Sequence, residues 1–162
     1  MSATRYNDAV LSLIAAYAAS GALEGVPVYD GPVAMTGSDN DYIIVGHNGT
    51  LGPDGSLAAD VIAGTTTEGN LVMPGVREEK GYISCLIVSQ TGDSADTAAR
   101  RQRASDLLDA AEDAVLAGGG YPTGVGAGLM FDGTSDSRWI TKQAGTGVAV
   151  LLAYRVSYSS GY

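Results

Sequence analysis

The chain has 162 residues, with 18 aspartates and glutamates against nine lysines and arginines, which gives a formal net charge of −9. This length suits a single domain with one core, and the negative charge disfavours non-specific binding to nucleic acid phosphates. A single cysteine and a single histidine exclude an intrachain disulfide framework and a zinc site of the usual kind. No apolar run is long enough for a membrane helix and the N-terminus does not resemble a signal peptide, so we expect a soluble, unexported protein.

The first predicted element is an amphipathic helix from about Thr4 to Ser20. Thr4 is the candidate N-cap, and Gly21 is expected to end the helix in the left-handed conformation. Two short strands follow at Val26–Tyr29 and Tyr42–Gly46, because both are rich in β-branched and aromatic residues and are bounded by turn residues. The apolar face of the helix recurs at steps of three and four residues: Tyr6, Val10, Leu13, Ile14 and Tyr17.

Residues 49–76 contain six glycines, two prolines and no basic residue. A structureless segment of this length is uncommon inside a compact domain and is usually functional. We expect either a glycine-rich loop without regular structure or a hairpin insertion with a strand around Asp60–Thr67. Its apolar stretch, Leu71, Val72 and Met73, is a candidate contact with a partner subunit.

The segment Glu79–Gln90 is too apolar in its middle for a strand with one solvent-facing side, which predicts a central strand covered on both faces. Cys85 lies in this segment with no acid or imidazole close in sequence to lower its pKa. We therefore interpret Cys85 as a small buried apolar residue and not as a nucleophile.

A second helix is predicted over about 93–117, opened by Asp93 or Ser94 and ended by the glycines at 118–120. Its expected apolar stripe comprises Leu107, Leu108, Ala111, Val115 and Leu116. The last third reads as three strands, at Val125–Phe131, Arg138–Lys142 and Val148–Tyr158. The order of elements predicts one α+β domain over residues 1–162, with two main helices packed on a mostly antiparallel or mixed sheet.

No catalytic motif emerges from the sequence. The two lysines, Lys80 and Lys142, do not follow a glycine-rich loop at a helix start, so a P-loop is absent. His47 has Asp41 and Asp54 near it in sequence, but there is no nucleophile elbow, and we interpret this histidine as structural. We expect no catalytic residue, no metal and no cofactor. Residues 48–50 are expected to form a turn.

The only basic cluster consists of Arg100, Arg101 and Arg103 on the second helix. The simpler interpretation is a solvated helix face, in which Asp96 pairs with Arg100 and Asp106 with Arg103. The alternative is a salt bridge across a subunit boundary to the acidic N-terminal half, where residues 1–76 carry eight acids and one base. The three arginines are therefore candidate interface residues, and DNA contact is a third and weaker possibility.

The order of these segments resembles that of tail terminator proteins of long-tailed bacteriophages. The resemblance covers nearly the whole chain and rests on patterns of residue type, without an invariant catalytic signature. Its segments are the opening helix at Asp8–Tyr17, Val26–Pro32, Tyr42–Gly46, Arg77–Cys85, Thr91–Asp93, Arg100–Ala104 and the closing strand at Gly147–Val150.

The resemblance implies a structural protein of the virion, assembled in the host cytoplasm and located at the neck between head and tail. Such a protein forms a ring, expected to be a hexamer, on the completed tube; it stops tube growth and presents the surface that docks the head. Its partners would be other copies of itself, the major tail tube protein and the head connector or stopper protein, with DNA only as passing cargo and no membrane. An acidic lumen would repel that DNA, and the candidates are Asp39, Asp41, Asp54, Asp60 and Glu68.

Two other functions remain open at this point. A head completion or connector protein at the same neck would share the ring symmetry and the lack of catalysis. A small hydrolase or ligand-binding domain would instead use His47 with nearby acids.

Overall fold

The most apolar stretch of the sequence forms the centre of the sheet. In the computed structural model, β4 spans Glu78–Thr91, and its side chains from Ile83 to Ser89 are all buried. A strand can be buried over so many consecutive residues only when both faces of the sheet are covered. The structure describes residues 5–31, 41–53, 57–58, 61–68, 78–91, 96–117, 129–144 and 147–161.

Six strands and two helices make up the described fold. The helices are α1 (Tyr6–Ala19) and α2 (Thr97–Ala117), and a short 3₁₀ turn at Gly21–Leu23 follows α1. The other strands are β1 (Val28–Asp30), β2 (Asp41–Val45), β3 (Gly64–Glu68), β5 (Leu129–Ala144) and β6 (Gly147–Gly161).

The sheet has the strand order β1-β2-β4-β6-β5, and β3 also pairs with β4. The β1–β2 pair is parallel and all the other pairs are antiparallel. A mixed six-stranded sheet with two helices packed on it is the predicted α+β fold, which is thereby confirmed.

Strands β2 and β3 lie end to end along the same edge of β4. Ser84 marks the junction: its amide donates to the Ala63 carbonyl (2.7 Å) and its carbonyl accepts from the Gly46 amide (2.7 Å). The chain therefore leaves the sheet after Gly46 and returns to it at Ala63, directly beside the point of departure. Between these two points, Leu51 and Leu57 pack over one face of the sheet.

The opposite face, which we call the helix face, is covered by α1 and α2. Both helices place small or branched residues against the sheet, such as Ala9 and Leu13 from α1 and Leu107 and Ala111 from α2. The strands supply the other half of this core through every second residue, as the pleat requires. Those strand residues include Ile43, Val45, Ile83, Cys85, Ile87, Val150, Leu152, Tyr154, Val156 and Tyr158.

The other face, which we call the strand face, holds a smaller apolar cluster. It is built from the alternate residues of the same strands, including Ile44, Leu86 and Leu151, with Leu51 and Leu57 packed over them. Because each face has its own cover, β4 has no solvent-facing side from Ile83 to Ser89.

Several boundaries differ from the sequence predictions. The helix α1 ends at Ala19, its C-cap Ser20 is extended, and Gly21 opens the 3₁₀ turn. The prediction of a left-handed Gly21 is therefore wrong, and the first glycine after the helix with a positive φ is Gly25, at 79°. Leu116 is 58% exposed and does not join the apolar stripe of α2, which instead uses Ala104 and Ala114.

The two strands predicted at Val125–Phe131 and Arg138–Lys142 are one strand, β5, from Leu129 onwards. It stays paired to β6 through two register shifts, between Phe131 and Gly133 and between Ser135 and Arg138. The predicted helix caps at Thr4, Asp93 and Ser94, the glycines at 118–120 and residues 125–128 lie outside the described residues. Within the long segment 49–76 the structure has the strand β3, which corresponds to the second of the two alternatives.

Candidate functional site

The arginines of α2 are anchored to the sheet through one carboxylate. Asp41, the first residue of β2, accepts a hydrogen bond from Nε of Arg103 (3.0 Å) and another from the Ser89 hydroxyl (2.7 Å). Nη1 of Arg100 lies 3.7 Å from the same carboxylate, and Nε of Arg100 lies 3.4 Å from Asp96. The Asp41 carboxylate on β2 therefore links the start of α2, through Arg100 and Arg103, to Ser89 on β4.

This arrangement combines the two interpretations of the arginine cluster. The pair between Asp96 and Arg100 is present as predicted, but Asp106 accepts from Gln102 (2.9 Å) and Arg103 turns to Asp41. Asp41 belongs to the acidic N-terminal half, so a salt bridge to that half does form, and it forms within one chain. Arg101 is exposed, and in the described part of the chain it makes no ion pair. An interface role for the three arginines stays a prediction.

Of the five acids expected to line a lumen, only Asp41 has a described side chain. Asp41 is only 19% exposed and is engaged with Arg103 and Arg100. The backbone of Glu68 pairs with Glu79 at the end of β3, and its side chain is outside the described set. Also outside the described residues are Asp39, Asp54, Asp60, Leu71, Val72 and Met73.

His47 is fully buried and both of its ring nitrogens are hydrogen-bonded to the backbone. Nδ1 accepts from the Gly49 amide (2.9 Å), and Nε2 lies 3.0 Å from the Ala58 carbonyl oxygen. Since a carbonyl can only accept, the ring is the neutral tautomer with its proton on Nε2. His47 therefore fastens the turn after β2 to residue 58, which agrees with the structural interpretation.

The predicted turn at residues 48–50 is also present. The Asn48 side-chain oxygen accepts from the Thr50 amide (3.0 Å), and Gly49 adopts φ of 83°. A side-chain-capped turn of this kind is typical of asparagine. A side chain at Gly49 would in addition contact Ala153, Leu86 and Ile140, so the turn packs directly on the strand face.

Cys85 is buried on the helix face beside two buried tyrosines. The hydroxyls of Tyr17 and Tyr154 lie 2.8 Å apart and share a hydrogen bond. Burial raises the pKa of the Cys85 thiol to about 12, and it raises the pKa of both tyrosines well above 10.0. At neutral pH the thiol is protonated and enclosed, which suits a core residue and not a nucleophile.

A polar recess that the sequence did not reveal lies on the strand face at β5 and β6. We call it the two-arginine recess; it has a volume of about 270 Å³. Arg155 lies over the ring of Tyr82 (4.2 Å to the ring centre) and pairs with Asp136 (3.3 Å). Arg138 donates to the Asn48 carbonyl. The lining consists of Asn48, Ser84, Asp136, Arg138, Ala153, Tyr154 and Arg155.

The recess depends on an irregularity of β5. Between Ser135 and Arg138 the pairing with β6 slips, and Asp136 adopts φ of 55°. Extra residues in a strand redirect the side chains next to them, and aspartate tolerates the left-handed conformation better than most residues. A sequence signal for this irregularity is Gly133 in the polar stretch 132–137, because a glycine inside a strand pattern indicates a bulge.

The described residues contain no group of three or more side chains that could hold a metal ion. Within the same part of the chain, no helix has the length and apolar character needed to cross a membrane. Comparison with models of known protein families gives no match, and comparison with curated protein sequences gives none either.

Proposed function

We propose that this chain is a structural subunit that assembles into a ring at the head-proximal end of a bacteriophage tail tube. The ring ends polymerisation of the tube and provides the surface on which the head docks. The proposal rests on the resemblance of the sequence to tail terminators, and the α+β fold supports it because those proteins are small domains with a sheet flanked by helices.

The observation that carries an assembly role is the exposed edge of the sheet. Strand β5 is 16 residues long and pairs with β6 on one side only; no described strand pairs with its other side. It also exposes two large apolar side chains, Met130 (41% exposed) and Trp139 (46% exposed). A long edge strand with free amides and carbonyls promotes association, and a ring would cover this edge with a neighbouring copy.

The charge of the chain supports a position around a DNA channel. With a net charge of −9 and eight acids against one base in residues 1–76, a ring would present a surface that repels phosphate and lets DNA pass without binding. Asp41 is held by two arginines and contributes little to such a surface, so the lumen prediction now depends on the other acids.

The mechanism is geometric. Each subunit uses its sheet edges, α2 and loops to contact two neighbours. One rim of the ring matches the end of the tube and the other does not, so that a further tube ring finds no complementary surface. The proposal requires no covalent bond to be made or broken. Both ring nitrogens of His47 are hydrogen-bonded to the backbone, which is typical of a structural histidine and gives no support to the hydrolase alternative.

The test is electron microscopy of particles made without this protein. We expect tails of uncontrolled length that are detached from filled heads, and complementation with the wild-type chain should restore the normal length. Particles with filled heads, normal attached tails and normal length would refute the proposal. Tails of normal length that fail to attach would instead favour the head completion or connector protein.

A further inference from the structure

Two charged clusters of opposite sign lie on opposite sides of the sheet. On the strand face the two-arginine recess brings together Arg138 and Arg155 with only one acid, Asp136. On the outer side of α2, directly away from the core residues Leu107 and Ala111, lies a stripe of exposed acids. This α2 acidic stripe consists of Asp106, Asp109 and Asp113.

The spacing of the stripe shows that its members share one helix face. Positions 106, 109 and 113 are separated by three and four residues, so their side chains are neighbours on the helix surface. All three are exposed, and no described cation pairs with them; Asp106 accepts only from the Gln102 amide group. Like charges so close together are mutually unfavourable, and a cationic partner would relieve that repulsion.

The two arginines of the recess are held in place and retain unused donors. Arg155 is fixed by the Tyr82 ring and by Asp136, and Arg138 by the Asn48 carbonyl. Each guanidinium carries five N–H groups in a planar fork that matches a carboxylate. Asp136 is 66% exposed, and an exposed ion pair contributes little, so it does not prevent a second carboxylate from binding.

We propose that the two-arginine recess binds the α2 acidic stripe of the next copy in the ring. The two surfaces lie on opposite sides of one sheet, because α2 packs on the helix face and the recess opens on the strand face. Contact between two different surfaces of identical chains is head-to-tail, and it closes into a ring when the rotation allows. The recess also lies on β5, the strand whose outer edge is unpaired among the described strands. This inference rests on the proposed function and names the surfaces that would perform it.

The experiment exchanges the charges. Arg138→Glu and Asp109→Arg are made singly and together in the full chain, and assembly is measured by sedimentation velocity and by capping of purified tail tubes. Each single variant should associate at least about tenfold more weakly than the wild type, since charge pairs in interfaces couple strongly. The double variant should recover most of that loss. Lys80→Glu, which makes the same change of charge at a side chain that is 71% exposed, is the control and should assemble normally.

Thermal melting keeps the result interpretable, because Arg138, Asp109 and Lys80 are all exposed and the variants should melt close to the wild type. A wild-type ring that Arg138→Glu leaves intact would overturn the docking surface and leave the proposed function standing. A double variant as weak as the singles, or a Lys80→Glu variant as weak as Arg138→Glu, would overturn it too. Wild-type protein that stays monomeric both alone and with tubes would overturn the inference and the proposed function together.

Discussion

Asp41 is the residue whose neutralisation most directly tests how α2 is attached to the sheet. The substitution Asp41→Asn keeps the size of the side chain and its ability to accept from the Ser89 hydroxyl. It removes the negative charge that faces Arg103 at 3.0 Å and Arg100 at 3.7 Å. Two arginine side chains, 41% and 22% exposed, then lose their shared counter-charge.

The expected loss of stability in Asp41→Asn follows from how far water reaches the side chains of Arg103 and Arg100. A hydrogen bond to a charged group contributes about 1.5–3 kcal/mol, and the loss of a partner is most costly where water cannot replace it. Arg103 is partly solvated and Arg100 keeps Asp96 at 3.4 Å, so we expect a loss near the lower end, about 2 kcal/mol in the free energy of unfolding. For a domain of 162 residues this corresponds to a decrease in Tm of about 4–8 °C.

Asp96→Asn is the matched control. Asp96 pairs with Arg100 along the helix, and its carbonyl accepts the first hydrogen bond of α2 from the Arg100 amide (3.0 Å). Asparagine serves equally well at the start of a helix, so this variant loses only a partly exposed ion pair between residues four apart, about 0.5 kcal/mol. Both variants are compared by urea denaturation and thermal melting. If Asp41→Asn costs no more than Asp96→Asn, the described anchor contributes nothing to folding and the reasoning is refuted.

Three further outcomes are expected. Burial raises the pKa of Cys85 to about 12 from an ordinary 9.0, so between these values the folded chain keeps a proton that the unfolded chain releases. The free energy of unfolding should therefore decline as the pH rises from 9 towards 12. A free energy of unfolding, measured by urea denaturation, that stays constant over that range would contradict this. In Gly81→Ala the new methyl group would overlap the Thr65 carbonyl oxygen and lie 2.8 Å from the Tyr158 hydroxyl, so the free energy of unfolding should fall by about 1–3 kcal/mol. Gly21→Ala is the control: Gly21 has open space around it, and the same assay should show almost no change. His47→Ala should lower the free energy of unfolding by about 2–4 kcal/mol, because both hydrogen bonds of the imidazole and its packing are lost. A loss under about 0.5 kcal/mol would show that the turn at residues 48–50 does not depend on the imidazole.

The local sequence pattern was sufficient wherever one element's own periodicity specified its environment. The apolar spacing in α1, the continuous apolar run of β4 and the alternation along β6 each predicted an element that the structure confirms. These signals work because a helix or strand buries a face whose period is fixed by its own geometry. The prediction that Leu116 belongs to the apolar stripe of α2 was wrong, because an apolar residue at the end of a helix can project beyond the sheet that covers the rest of the stripe.

The candidate sites were less accessible from the sequence, because each depends on residues far apart in the chain. The partner of Arg103 was expected three residues away at Asp106 and is Asp41, 62 residues away. The two-arginine recess gathers Asn48, Ser84, Arg138 and Arg155 from separate segments. Nothing in the spacing of these residues marks them as neighbours.

What the sequence determined by itself is therefore both helices and most of the strands, the α+β class, the acidic balance of charge and the burial of Cys85. What only the tertiary structure decided is which strands are neighbours and which charges meet across them. The physical reason is that periodicity is a property of residues close together in the sequence. Strand order, the bulge in β5 and the pairing of Asp41 with α2 instead depend on how distant segments pack together in the complete sheet.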